Sequence, residues 1–287
     1  MIFNKDVKIN NNYYKYKFDN KEGSTMKTKK LIINADDFGF TPGVTQGIIE
    51  AHNNGVVTST TAFSVTEYFF QSMKDARIQA PTLSIGIHLT LTLNKHKPIL
   101  SQKIVGSLVD ADGYFWNQNQ FLEKVKLEEV YLEWEAQILH FLKSGYRPDH
   151  IDSHHNVHGK SEGLLKVALE LAKKFNLPLR NASRSEETSQ LLTHYKGTPT
   201  TNKMISKFYG EKVSKGQFLE ILDGIVNSEK ELFELNCHPA FLDSLLLDYS
   251  SYNKQRVNEL KILTSKEIKE QIVKRNILLT NYEILNK

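Results

Sequence analysis

The chain has 287 residues, 40% hydrophobic and 24% charged, with 15 Gly and 7 Pro, a globular composition that excludes a wholly disordered, collagenous or low-complexity protein. Lys and Arg number 37 against 33 Asp and Glu, for a net charge of +4, and the basic residues are scattered among acids, which argues against a nucleic-acid partner. The single Cys237 rules out an intramolecular disulfide framework, and no segment approaches the roughly 20 apolar residues of a membrane span, so the expected location is cytoplasmic.

Residues 1–27 mix Asn, Lys and Tyr with no helical or strand period. They read as a disordered N-terminal extension, with Met26 a candidate true start. Residues 28–287 hold no Gly/Ser-rich linker, internal repeat or charge block and read as one domain. A β-branched run at Leu31–Ala35 opens the pattern, followed by candidate strands at Val57–Val65, Leu83–His88, His150–Asp152, Leu177–Arg180, Leu232–Cys237 and Ile277–Tyr282. Helical stretches separate them. The clearest, over 120–144, lines up Phe121, Val125, Val130, Trp134, Ile138 and Leu142 and stops at Gly145 and Pro148. Strand-helix alternation implies a parallel sheet, and about seven strands predict an α/β fold of the (β/α) barrel type, closed or nearly closed. The stretch 183–214 is long for a connection and reads as a functional loop or small insertion.

Four polar clusters each follow a candidate strand, the edge at which parallel α/β folds gather catalytic groups. Asp36-Asp37 places two carboxylates side by side, which repel unless a cation or a shared proton relieves them. One could ligate a cation while the other acts as a base; a turn or helix N-cap is the structural alternative. His88, alone in IGIHLTLT, is more simply a core or edge residue. In HIDSHHNVH, Asp152, His154, His155 and His158 crowd one strand end, and an Asp with two His would leave coordination positions open for water and substrate. The last cluster is Cys237-His238-Pro239, where Cys237 reads as a small buried hydrophobe. The chain has no GxSxG elbow, GxGxxG or GxxxxGK[ST], which argues against a serine nucleophile and nucleotide cofactors. Tyr114, Phe115, Trp116, Phe208 and Tyr209 could stack on sugar rings, with packing as their simpler role.

The ordered series LIINADDFG, GIIEAHNNGVVTSTTA, IGIHLTLT, HIDSHHNVH, FYGE and CHPAFLD resembles the YdjC-like carbohydrate deacetylases, and among them most resembles the chitooligosaccharide deacetylases, from about Lys29 to the C-terminus. The resemblance implies a (β/α) barrel that binds one divalent metal ion and hydrolyses the N-acetyl group from N-acetylglucosamine units of short chitooligosaccharides such as diacetylchitobiose, in carbohydrate catabolism. It assigns metal ligation to Asp37, His88 and His154 and the base to Asp36. The family often has HHHVH where this chain reads His154-His155-Asn156-Val157-His158, which leaves the ligand position intact. His238, at another strand end, is the candidate acid for the departing amine, with His155 or His158 as alternates. Two His and a carboxylate suit Zn²⁺, while a carboxylate-water site also takes Mg²⁺ or Mn²⁺. The competing readings are hydrolysis of another acetylated sugar or of a phosphoester, the latter requiring extra cations near the metal, for which Arg180 and Arg184 are the main candidates, and a non-catalytic sugar-binding protein. The expected partner is a small oligosaccharide, with no nucleic acid or membrane; oligomeric state is open, a homodimer included.

Overall fold

The computed structural model describes residues 28–93, 95–183, 185–194 and 197–286; the N-terminal extension and Arg184 lie outside them. The run KKLIINADDF forms β1, Lys29–Phe38, with Leu31, Ile32 and Ile33 fully buried. A run apolar at consecutive positions suits a parallel strand covered on both faces. Six more strands follow: β2 Ser59–Ala62, β3 Ser84–Leu89, β4 Ile151–Ser153, β5 Lys203–Ile205, β6 Leu232–Cys237 and β7 Ile277–Thr280. The sheet order is β4-β3-β2-β1-β6-β5, with β7 also paired to β1, and every pair is parallel. β6 runs along one edge of β1 from Lys30 to Ala35, so the other edge is shared, by β7 at Lys29–Ile32 and by β2 from Asn34 onward. The sheet curls into a half-barrel with helices around it: α1 Pro42–Asn53, α2 Phe69–Gln79, α3 Leu127–Leu142, α4 Glu162–Phe175, α5 Glu186–His194, α6 Lys215–Val226, α7 Ser244–Tyr249, α8 Lys254–Leu263 and α9 Lys266–Lys274. Among the described residues no helix is long and apolar enough to cross a membrane.

Helix starts follow local capping chemistry. Thr41 caps α1 by accepting from the Val44 N–H, with Pro42 at the first helical position, and Ser161 caps α4 in the same way through the Leu164 N–H. Three expectations change or sharpen. Leu177–Arg180 is not a regular strand: Leu179 makes a single parallel bridge to Ile151 and donates to Pro199 O, in the opening between β4 and β5. Pro178 has no N–H to extend that ladder. The stretch 183–214, read as a functional loop or small insertion, holds α5 and β5, and the latter, three residues long and too short to show a period, joins the sheet. The helix expected over 120–144 starts at Leu127, after a 3₁₀ turn at Phe121–Glu123 and an extended Lys126. Phe121 is buried all the same, because a 3₁₀ turn spaces apolar residues much as a helix does.

The loop after β6 is held directly against α1. A Cβ built on Gly47 would lie 2.4 Å from Ala240 Cα and 2.7 Å from the Phe241 nitrogen. Gly47→Ala is therefore expected to destabilise the protein by about 1–3 kcal/mol, outweighing the helix propensity that Ala adds. Denaturant unfolding measures this, and an unchanged or raised midpoint would contradict so close an approach.

Candidate active site

The Asp36-Asp37 pair lies inside the last turn of β1 rather than after it. In a regular strand neighbouring side chains point to opposite faces. Here the pairing to β2 slips between Ala35 and Phe38, and Asp37 takes a left-handed φ of +77°. Such a bulge re-aims a side chain next to a site, and Asp tolerates positive φ better than most residues. Both carboxylates consequently line one cleft of about 700 Å³ at the C-terminal end of the strands.

Asp37 divides its two oxygens. Oδ2 accepts from Arg256 Nη2 at 2.6 Å, while Oδ1 lies 3.3 Å from His88 Nε2 and 3.2 Å from His154 Nδ1. His88 is the penultimate residue of β3, and its other nitrogen, Nδ1, donates to Asp152 Oδ1 on β4 at 2.6 Å. Asp152 Oδ2 in turn accepts from the Thr61 hydroxyl on β2 at 2.9 Å. This carboxylate-histidine pairing orients the ring and leaves Nε2 facing the cleft, as in many metal sites. Burial alone would lower the His88 pKa, but the Asp152 carboxylate, with Asp37 and Asp36 beyond it, pushes it up to about 10.

His154 is placed by a backbone reversal after β4, where His155 and Asn156 have φ of +55° and +51°. Phe63 packs edge-on against both His88 and His154, at centroid distances of 4.8 and 5.0 Å. Asp37 Oδ1 and His88 Nε2 are buried without a hydrogen-bond partner, and with His154 they offer three ligand atoms all within 4.8 Å of one another. Orphaned buried polar atoms of this kind are costly unless something binds them. One carboxylate and two imidazoles fit a divalent cation with positions left open. A second grouping, Asp36, His88 and Asp152, fits poorly, because the oxygens of Asp36 and Asp152 are already taken by hydrogen bonds.

Those bonds come chiefly from Arg180, fully buried. Its Nη1 and Nη2 reach Asp36 Oδ2 and Oδ1 at 2.8 and 2.6 Å, Nη1 lies 2.8 Å from Asp152 Oδ2, and Nε donates to Glu234 Oε1 at 2.8 Å. Tyr282 donates to the other Glu234 oxygen at 2.5 Å. Burial would raise the Asp36 carboxyl, but the Arg180 guanidinium holds it well below the usual carboxylate range; Arg256 outweighs burial at Asp37 in the same way. Both carboxylates are thus ionised at neutral pH.

His238, just past β6, has Nε2 3.9 Å from Asp36 Oδ2, and burial lowers its pKa to about 4. Its backbone N–H donates to Glu259 at 2.5 Å. The two alternates to His238 fare differently. His158 is fully buried, with Nδ1 on the Ser153 hydroxyl and Nε2 on the Arg180 carbonyl, so it props the turn instead of facing the cleft. His155 reaches the cleft, its Nδ1 2.9 Å from the Thr92 hydroxyl, and burial depresses its pKa to about 2. Cys237 is buried, and desolvation raises its thiol. Of the five aromatics considered, only Tyr209 lines the cleft; Phe115 and Phe208 are buried, Trp116 packs against the core, and Tyr114 carries Lys97 over its ring.

The structure places Asp36, Asp37, His88, His154 and His238 around one cleft; sequence reasoning leaves out Arg256 and Glu259, which share one face of α8, and weighs Arg180 only as a phosphate-facing cation. No local motif marks these three, because each acts through long-range contacts.

A family model described as YdjC-like protein matches residues 30–274. The chain is 61% identical over 260 residues to a carbohydrate deacetylase of Enterococcus faecalis, covering 91% of this chain and 99% of that protein. It is 38% identical to a carbohydrate deacetylase of Clostridium beijerinckii, with 88% and 99% covered. A crystal structure from Enterococcus faecalis V583, named for a proposed role in cellobiose-phosphate cleavage, superposes with a TM-score of 0.88 at 61% identity over 90% of this chain and 99% of that one.

For a divalent ion held by these three ligands, the geometry predicts that Asp37→Asn, His88→Ala and His154→Ala each lose it, since an open site with three protein ligands cannot spare one. Asp36→Asn should retain it. Metal content by plasma mass spectrometry after dialysis decides this: equal loss in the Asp36 and Asp37 variants would refute the division of labour between neighbours.

Proposed function

The chain belongs to the YdjC-like family and is an enzyme of the carbohydrate deacetylase kind, and we propose that it hydrolyses the N-acetyl group of N-acetylglucosamine units in short chitooligosaccharides such as diacetylchitobiose, using one divalent ion. The observation that carries the metal-dependent part is the set of orphaned atoms, Asp37 Oδ1 and His88 Nε2 beside His154, set next to an ionised Asp36 and a neutral His238. The curated relatives named carbohydrate deacetylase support the sugar as substrate.

A cation held by Asp37, His88 and His154 would polarise the acetyl carbonyl and make a neighbouring water more acidic. Asp36, kept anionic by Arg180, takes the proton of the attacking water. The water oxygen adds to the carbonyl carbon, the C–N bond then breaks, and the sugar nitrogen needs a proton to leave. His238, neutral at rest, becomes an acid only after receiving one, and Asp36 Oδ2 at 3.9 Å is the nearest donor once it has been protonated. Water thus supplies the second oxygen of the acetate and, through this pair, the proton of the amine. Of the two cations weighed for a phosphoester, Arg180 is committed to three carboxylates and Arg184 lies outside the described residues.

Acetate release from diacetylchitobiose, followed enzymatically with and without a chelator, tests the reading. Activity should vanish with the chelator and return with added Zn²⁺, Mg²⁺ or Mn²⁺. Asp36→Asn should lower turnover by about 10²–10⁴-fold with the metal in place. Release of phosphate from sugar phosphates without any acetate from N-acetylated sugars would replace this proposal with the phosphoester reading.

A further inference from the structure

We propose that Tyr209 is the platform on which the substrate's pyranose ring lies, its open face carrying the sugar whose nitrogen is served by His238. This rests on the carbohydrate reading above.

Four aromatic residues line the cleft, and three are largely covered: Phe40 and Tyr252 are buried, and Tyr249 packs against Phe40 at 5.9 Å. Tyr209 is 50% exposed. One face of its ring is stacked on Tyr252, with centroids 4.1 Å apart and planes 20° from parallel, and His238 lies edge-on beside the pair, 5.4 Å from Tyr209 and 5.9 Å from Tyr252. A flat apolar ring, backed by Tyr252 and half exposed in a cleft with several polar walls, matches a pyranose. The C–H face of the sugar is apolar, while its rim carries hydroxyls for polar wall residues such as Ser206, Ser250 and Asn117.

The ring is also fixed relative to the acid. The Tyr252 hydroxyl accepts from the Gly210 N–H at 3.1 Å, next in the chain to Tyr209, and donates to Glu259 Oε1 at 2.5 Å. The other oxygen of Glu259 accepts the His238 N–H at 2.5 Å. The Tyr209 loop and the His238 loop are therefore tied to one buried carboxylate on α8, and a sugar lying on the first is presented to the second with little left to orient.

Two measurements test this together: steady-state hydrolysis of diacetylchitobiose and calorimetric binding of its deacetylated product, diglucosamine, which needs no turnover. Tyr209→Ala should raise KM and weaken diglucosamine binding about 10–100-fold, with kcat changed less, whereas Tyr209→Phe should stay within about twofold of wild type in both, because the ring and not the hydroxyl bears the sugar. Unchanged KM and product affinity in Tyr209→Ala would overturn the proposal, as would a loss confined to kcat, which would make Tyr209 a prop for His238. The catalytic reading fails separately: wild-type protein that binds diglucosamine in a Tyr209-dependent way but releases no acetate refutes the chemistry and leaves the platform standing. Wild-type protein that neither binds diglucosamine nor releases acetate refutes both.

Discussion

Arg180 spends all three of its guanidinium nitrogens on carboxylates drawn from three strands: Asp36 of β1, Asp152 of β4 and Glu234 of β6. Removing so many charges from water is expensive, and only saturation of nearly every donor and acceptor makes the arrangement tolerable. The saturation is visible. The Tyr282 hydroxyl supplies the remaining Glu234 oxygen, His88 Nδ1 the remaining Asp152 oxygen, Thr61 adds a second bond to Asp152 Oδ2, and the Asn34 side chain donates to Asp36 at 2.9 Å. The planar fork also imposes direction, which a lysine ammonium could not do. By gripping Asp36 on one side and Asp152 on the other, the same group sets the orientation of the base and, through Asp152, that of the His88 ring.

Backbone distortion supplies the second constraint. The bulge at Asp37 and the consecutive left-handed residues His155 and Asn156 both line the cleft. Residues rarely hold such conformations unless their surroundings over-determine them. At Asp37 the surroundings are Arg256 and the paired histidines; at the second turn they are His158, locked between Ser153 and the Arg180 carbonyl, and Thr92 on His155. The strain is located where neighbouring residues in the chain must do different things.

The third wall is one turn of α8. Arg256 and Glu259, three residues apart and so on one helix face, contact Asp37 on one side and the His238 backbone on the other. Burial pushes the Glu259 carboxyl up to about 7 even as Tyr252 and His238 donate to it. A carboxyl held this way is a structural tie more than a reactive group. It joins two loops that the strands leave apart.

Much of this was legible in the residues alone. Alternating β-branched runs and amphipathic stretches determined a parallel α/β sheet, because parallel strands buried on both faces must be continuously apolar. The excess of His and Asp at strand ends marked Asp36, Asp37, His88, His154 and His238, since polar groups interrupt such runs only where they meet a cleft. Short or irregular elements escaped: β5 is three residues long, Pro178 breaks the ladder around Leu179, and a 3₁₀ turn imitates helical spacing before α3. Tertiary structure alone decided the partners. Arg180 lies 144 residues from Asp36 and Arg256 lies 219 from Asp37, while Glu234 is 54 from Arg180 and 48 from Tyr282, and pairing at such separations has no period or spacing for a sequence to display. It arises only when the curled sheet brings the ends of distant strands within hydrogen-bond reach.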